Sequence, residues 1–458
     1  MTQPSLAIVL AAGKGTRMKS ALPKVMHRLA GATLLAHVLR AARAAGLERS
    51  AVVIGPGMEE VGNAASALPP PKLQVFVQAE QLGTADAVKT ARQALEDFKG
   101  HVLVLYGDTP LLRPETIASV RHALDEGADL VVIGFEAENP TGYGRLLLDE
   151  RGRLVAIREE KDATDAERAI TLCNSGIMGF RSAETLLGLI GRIGNDNAKG
   201  EFYLTDAVAL ARGDRLDARM VRSRAEEVLG VNSRAELAEA EAAMQRRLRA
   251  GIMAGGATLI APETVFLSHD TRVGRDVLIE PHVVIGEGVT IEDGATVRAF
   301  SHIQGASIGP GAVVGPFARL RPGAKLARDA HIGNFVEIKQ ADIEEGAKVN
   351  HLTYIGDASV GAGANVGAGT ITCNYDGFAK HRTEIGAGAF IGSNTALVAP
   401  VKIGEGAYIG SGSVISKDVA PGALALTRAP QEEKPGWAAR MRERWSRAKA
   451  KASGNKGI

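Results

Sequence analysis

Cysteine is nearly absent. The two in 458 residues, Cys173 and Cys373, lie far apart and suggest no disulfide framework. Excess charge is lacking as well: 54 Lys and Arg face 52 Asp and Glu, so no overall field favours nucleic acid as the main partner. No apolar run approaches the ~20 residues that a membrane span requires. The N-terminus has no basic stretch, and its apolar run Leu6–Ala12 is short and ends in a Gly-rich loop. That run is expected to be a buried strand rather than a signal peptide, and the chain to be cytosolic. The 54 Gly follow no G-X-Y period, which excludes a collagen-like chain.

What is present is a ladder of aliphatic residues six apart. Val273, Ile279, Ile285, Ile291, Val297 and Ile303 keep strict register. Ile308, Val314, Leu320, Leu326, Ile332 and Ile338 resume it after one short step, and Ile343, Val349, Ile355, Val360 and Val366 continue it. After an interruption the beat returns at Ile385, Ile391, Leu397, Ile403, Ile409 and Ile415. A period of six suits neither a helix nor an alternating strand. It predicts a parallel β-helix of hexapeptide repeats, three short faces per coil, with the aliphatics stacked inside.

The first half alternates differently. Apolar runs at Leu6–Leu10, Ala51–Ile54, Leu73–Val77, His101–Tyr106 and Leu130–Phe135 are separated by helical stretches such as Leu34–Ala45 and Ala85–Leu95. This alternation predicts a doubly wound, mostly parallel sheet, which binds ligands at the carboxyl ends of its strands. The loop after Leu10 and the pair Gly107-Asp108 fall on that edge. The loop lacks the Gly-Lys-Ser/Thr ending of a Walker sequence and the third Gly of a dinucleotide fold. It offers backbone N–H groups, with Arg17 and Lys24 close behind, a set that suits a triphosphate; read alone, it equally fits a surface turn. In the same way Asp108 fits a helix N-cap, Asn232 a turn and Glu159 a solvated charged face.

The segment Leu10-Ala-Ala-Gly-Lys-Gly-Thr-Arg17 followed by Leu22-Pro23-Lys24 resembles the signature of the sugar-nucleotide pyrophosphorylases. Gln78, Gln81-Leu-Gly-Thr84, Tyr106-Gly-Asp108, Gly142-Tyr-Gly-Arg145, Glu159-Glu-Lys-Asp162, Asn174-Ser-Gly176 and Val231-Asn232 extend the likeness, in order. Together with the hexads they resemble the bacterial bifunctional N-acetylglucosamine-1-phosphate uridylyltransferase/glucosamine-1-phosphate acetyltransferase family over nearly the whole chain. The resemblance implies a Rossmann-like nucleotidyltransferase domain over 1–228, a linker helix over 229–250 and a left-handed β-helix acetyltransferase domain over 251–458. Leu10, Ala11, Ala12, Gly13, Gln78, Gly83, Thr84, Tyr106 and Gly107 would then contact the UTP nucleotide. Arg17 and Lys24 would hold phosphates and favour the departing pyrophosphate. Asp108 and Asn232 would hold Mg²⁺, and Gly144, Glu159 and Asn174 the N-acetylglucosamine moiety. One departure is Asp86, where His is expected in many members.

Ser233-Arg-Ala-Glu236 spells a capping box, and Leu237, Ala240, Met244 and Leu248 follow at helical spacing, with Gly251 and Gly255-Gly256 expected to end a rigid spacer. In the β-helix half, function has to come from residues on its outer faces and loops. Arg321, Lys339, His351 and Tyr354 break the small-residue pattern, and the stretch between Gly369 and Ile385, with Lys380 and His381, is too long for a corner. Acetyl transfer to an amine needs a base, and histidine suits that role near neutral pH. The resemblance makes His351 the proton acceptor. It assigns Arg321, Lys339, Tyr354 and Asn365 to glucosamine-1-phosphate, and Ala368, Asn374, Tyr375, Ser393, Ser411 and Arg428 to acetyl-CoA. Ser411 stands where some relatives have Ala. The resemblance also implies a homotrimer with acetyltransferase sites between subunits, and a product used in peptidoglycan and lipopolysaccharide synthesis. From Lys434 onward eight Lys and Arg face one Glu, which reads as a solvated end or as a basic helix over 437–451 for CoA phosphate or an anionic surface. Two other functions stay open: the same pair of activities on another nucleotide or sugar, such as thymidylyl transfer, or an N-terminal enzyme carried on a β-helix that only assembles.

Overall fold

The computed structural model describes residues 3–68 and 73–454, with side chains described as far as residue 450. Contact density divides the chain into two units, 1–290 and 291–458. The first unit is built on a mixed sheet. Its strands run in the order Ala218–Arg222, Leu130–Glu136, Leu172–Phe180, His101–Tyr106, Ser5–Leu10, Arg49–Ile54, Leu73–Val77. All neighbours are parallel except Leu172–Phe180, which runs antiparallel to both of its own. The expected strands are present; the antiparallel strand and the hairpin Arg145–Leu148/Leu154–Arg158 lacked a clear apolar alternation. Two buried clusters cover the two faces of the sheet, one around Ile8, Val104, Met178 and Phe180, the other around Val9, Val52, Leu105 and Ile133. Each fully buried aliphatic side chain there contributes about 1.5–3 kcal/mol.

Helix Leu34–Ala44 starts where the Thr33 hydroxyl accepts from the Ala36 N–H and stops before Gly46 at φ 82°. The stretch 85–95 forms two short helices, Thr84–Thr90 and Arg92–Leu95, rather than one. The capping box at Ser233 and Glu236 is present, but the helix runs to Ala254, straight through Gly251, because a lone Gly in a helix costs only about 1 kcal/mol. It is also no free spacer. Ala240, Ala243 and Met244 pack on Leu29, Leu34, Leu111 and Val231.

The division at 290 rather than 250 follows from the first coils. Ala30 carbonyl oxygen accepts from the His269 N–H at 2.9 Å and from the Ser268 hydroxyl at 3.2 Å, and Arg28 pairs with Glu287. These bonds tie the start of the β-helix to the segment after the Gly-rich loop.

In the second unit the hexads form parallel ladders of two- to seven-residue strands. Ile308 pairs with Leu326, Val314 with Ile332 and Leu397 with Ile415, so one coil consumes eighteen residues. Ile338 pairs with Ile355 and Ile343 with Val360, one residue shorter at the short steps of the beat. The coils form a left-handed parallel β-helix. Every hexad aliphatic from Ile279 to Ile415 is buried, and Val273 alone is half-exposed. Corners are not reserved for Gly: Phe300, Phe317, Phe335 and Leu352 take φ between 49° and 59°. The long interruption resolves into strand Ile371–Cys373, which stays in the ladder, and a loop closed by a bridge between Tyr375 and Lys380. The basic tail forms a helix, Trp437–Gly454, with both Trp exposed; Lys456 of the basic run lies outside the described residues. Among the described residues no helix is long and apolar enough to cross a membrane.

Candidate functional sites

At the carboxyl edge of the mixed sheet lies a cavity of about 370 Å³. Leu10, Ala11, Ala12, Gly13, Lys24, Gln78, Gly83, Thr84, Tyr106 and Asp108 line it, all named by the sequence. Val25, Gln81, Ala87 and Glu201 line it too, and were not expected there; of these only Gln81 lay in a motif that could have flagged it.

Strand register explains the convergence. Leu10 pairs with Tyr106 across adjacent parallel strands, so the loops that follow open side by side. Gly15, at φ 61°, lets Lys24 approach: a Cβ there would lie 2.7 Å from the Lys24 Cβ. The Lys24 ammonium is thereby delivered to Asp108, with which it forms an ion pair, and to the Asn232 side-chain oxygen at 2.9 Å. One carboxylate oxygen and one amide oxygen thus both face the Lys24 ammonium, and the same hard-oxygen pair would suit a divalent cation, with water or phosphate as its other ligands, once the amine turns to the phosphates. Among the described residues no group of three His, Cys, Asp or Glu gathers anywhere as an alternative metal site. Arg17 sits apart, exposed on the turn Thr16–Met18, and does not line the cavity.

Tyr106 joins this cavity to a second cluster. Burial, then the charges of Asp108 and Glu159, push its phenol well above the ordinary range, so it stays a neutral hydroxyl. Gly176 at φ 87° packs on the Tyr106 ring, where a Cβ would fall 2.8 Å from a ring carbon. Asn174, at the bulge of its strand, donates its N–H to the Gly144 carbonyl at 2.8 Å, and its side-chain oxygen accepts from the Gly176 N–H at 3.0 Å. Glu159 lies against Gly144 and accepts from the Thr205 hydroxyl at 3.1 Å; burial pushes its carboxyl up. Gly144, Glu159 and Asn174 therefore do come together. Gly107 is buried behind the cavity, its N–H spent on the Leu10 carbonyl.

The second unit carries two groupings. Arg321, paired with Glu337 at 2.8 Å, and Lys339, 3.6 Å from Asp357, lie on one face of the β-helix with Tyr354. Asn374 belongs here as well, donating to Asp357 and to the Tyr354 hydroxyl at 3.4 Å. Lys380 meets Lys339: hydrogen bonding between the two amines, then the Asp357 carboxylate, holds Lys339 above the ordinary range, and the same contact and its repulsion hold Lys380 below it. Arg321, Lys339 and Lys380 thus gather, a set of N–H donors that suits an anion such as a phosphate. Lys380 was not expected in the site; its place in the interruption of the hexads was the only sign.

His351 stands at a strand end, its Nδ1 2.8 Å from the Asn334 side-chain oxygen. That oxygen only accepts, so Nδ1 carries the proton and Nε2 is left as the base. A cavity of about 360 Å³ lies beside it, lined by Arg298, His331, Phe317 and Phe335 among others. Asn365 is on a different ladder from Arg321 and Lys339, between Lys348 and Phe390. Along another edge successive coils stack Ala368, Ser393, Ser411 and Arg428. The Ala368 carbonyl accepts from the Asn394 N–H, the Ser393 carbonyl from the Gly412 N–H and the Ser411 carbonyl from the Arg428 guanidinium at 2.8 Å. Tyr375 is exposed on the loop.

The chain matches the MobA-like NTP transferase domain over residues 7–170 and the bacterial transferase hexapeptide repeats over 270–305 and 382–417. It is 61% identical over 437 residues to the bifunctional protein GlmU of Azorhizobium caulinodans, covering 95% of this chain and 97% of that one. The GlmU protein of Xanthobacter autotrophicus is 59% identical over 97% of this chain and 98% of its own. That of Rhodospirillum rubrum is 58% identical over 97% and 99%.

Proposed function

The chain belongs to the bifunctional GlmU family, and from that membership we propose that it makes UDP-N-acetylglucosamine in two steps. The observation that carries both activities is that each unit holds its own chemistry, a nucleotide-sized cavity in one, and in the other a histidine base with its tautomer set and a separate cluster of Arg and Lys side chains. We assign uridylyl transfer to residues 1–228, the linker to 229–250 and acetyl transfer to 251–458.

In the first step the phosphate of glucosamine-1-phosphate meets Arg321, Lys339 and Lys380. His351 Nε2 takes a proton from the sugar amine as its nitrogen attacks the acetyl thioester carbonyl, and CoA leaves as the thiol. Asn334 supports this by holding the imidazole in the required tautomer. Ala368, Tyr375, Ser393, Ser411 and Arg428 are assigned to acetyl-CoA, with Asn374 between the two substrates. Asn365 lies on another face, which suits a site completed by a neighbouring subunit in a homotrimer. The stack Phe300–Phe317–Phe335, with ring centroids 5.0 and 5.1 Å apart and each ring about half exposed, is an apolar ridge that further copies of the chain would bury.

In the second step an oxygen of the N-acetylglucosamine-1-phosphate phosphate attacks the α-phosphorus of UTP, and pyrophosphate leaves. Asp108 and Asn232 would hold Mg²⁺, which supplies neutralisation of phosphate charge. Lys24 adds a cation at the same phosphates, Gln78, Gly83 and Thr84 hold the nucleotide, and Gly144, Glu159 and Asn174 hold the sugar. Arg17 reaches the leaving pyrophosphate only from an exposed turn. We place these reactions in the cytoplasm.

The test follows CoA and pyrophosphate separately in one mixture of glucosamine-1-phosphate, acetyl-CoA, UTP and Mg²⁺. CoA should appear first and pyrophosphate release should depend on it. Pyrophosphate formed only from added N-acetylglucosamine-1-phosphate, with no CoA, would reduce the β-helix to a scaffold.

A further inference from the structure

Asp86 departs from the residue expected at its place, and the geometry around it has a chemical consequence. The Gln78 side chain, 4% exposed, lines the nucleotide cavity. Its amide nitrogen donates to the Asp86 carboxylate at 2.7 Å and to the Gly83 carbonyl at 3.3 Å. Both partners only accept, so the amide has one permitted orientation: both N–H groups are spent, and the oxygen is the atom left for a ligand. The Gly83 carbonyl is itself fixed. Gly83 has φ 124°, a Cβ there would lie 2.6 Å from the Phe202 carbonyl oxygen, and the flanking residues bond to Phe202 through the Ala85 N–H and the Leu82 carbonyl. At 3.3 Å, however, that carbonyl is the weaker partner, and the carboxylate decides the orientation.

We propose that Asp86 is a positioning residue for base choice: by holding the Gln78 amide with its oxygen toward the cavity, it makes the site select a base edge that donates an N–H. Uracil offers N3–H between two carbonyls. Cytosine offers a lone pair at N3 and meets an oxygen with no proton between them, which leaves a buried acceptor unpaired. Without Asp86 the amide turns over, its NH₂ faces the cavity, and the preference for uracil weakens. The inference rests on reading the cavity as the nucleotide site.

The experiment measures kcat/KM for pyrophosphate release from UTP and from CTP, each with N-acetylglucosamine-1-phosphate and Mg²⁺, in the full chain and in Asp86→Ala and Asp86→Asn. Urea unfolding followed by circular dichroism at 222 nm reports the integrity of the first unit in each variant, and CoA release from acetyl-CoA and glucosamine-1-phosphate that of the second. In Asp86→Ala the UTP:CTP ratio should fall by ~10-fold or more, the size of one charged hydrogen-bond preference, through a raised KM for UTP with kcat within ~3-fold. Asp86→Asn keeps an acceptor for the Gln78 amide and should retain most of the ratio. An unchanged ratio in Asp86→Ala overturns the inference, as does a ratio lost equally in Asp86→Asn. Absence of pyrophosphate from UTP in the unsubstituted chain would instead overturn the nucleotide reading itself. If Asp86→Ala does not accumulate, Asp86→Leu, which keeps the volume and removes both acceptors, carries the same expectation.

Discussion

His37 makes the first unit sensitive to mild acid by an amount the structure sets. The imidazole is buried in helix Leu34–Ala44, and its Nε2 donates to the Leu29 carbonyl at 2.7 Å. Burial first, and then the charges of His269, Arg40 and Arg247, lower its pKa to about 4, against the raising effect of the Leu29 bond. An unfolded His titrates near 6.5. The folded pKa is depressed, so the neutral imidazole's contribution is fully present above pH ~6.5 and is lost as the pH falls toward 4, where only the unfolded chain binds the proton readily. A separation of ~2.5 pH units at ~1.36 kcal/mol each is about 3 kcal/mol. His37→Gln keeps a donor for the Leu29 carbonyl and removes the titration. Urea unfolding followed by circular dichroism at 222 nm, at pH 7.0, 5.5 and 4.5, compares the two. The unsubstituted chain should lose about 2–3 kcal/mol more than His37→Gln across that range. Parallel losses in both would refute the assignment of the acid sensitivity to this imidazole.

His351→Ala should lower CoA release by about 10²–10⁴-fold and leave pyrophosphate release from N-acetylglucosamine-1-phosphate unchanged, a split that steady-state assays of the two products read directly. Ile332→Ala removes a fully buried rung between Val314 and Val349 and should cost about 2–5 kcal/mol, seen as a lower urea midpoint for loss of acetyl transfer.

The hexad beat carried the second half of the fold in the sequence itself, because a six-residue period sets which side chain points inward without reference to distant residues. The order of apolar strands did the same for the parallel part of the first sheet, and the motifs after Leu10 and Tyr106 marked its functional edge. Tertiary structure alone decided the rest. The antiparallel strand Leu172–Phe180 is inserted beside His101–Tyr106 although 65 residues separate their facing ends, and it is this insertion that sets Asn174 and Gly176 beside Tyr106. Lys24, Asp108 and Asn232 meet from separations of 84 and 208 residues. Lys380 reaches Lys339 only because a loop leaves the coil and returns over it, and the orientation of Gln78 depends on a carboxylate in the first turn of the helix that follows. A local period fixes the direction of a side chain, whereas the convergence of charged groups depends on strand order and on loops crossing between strands, which no period in the sequence encodes.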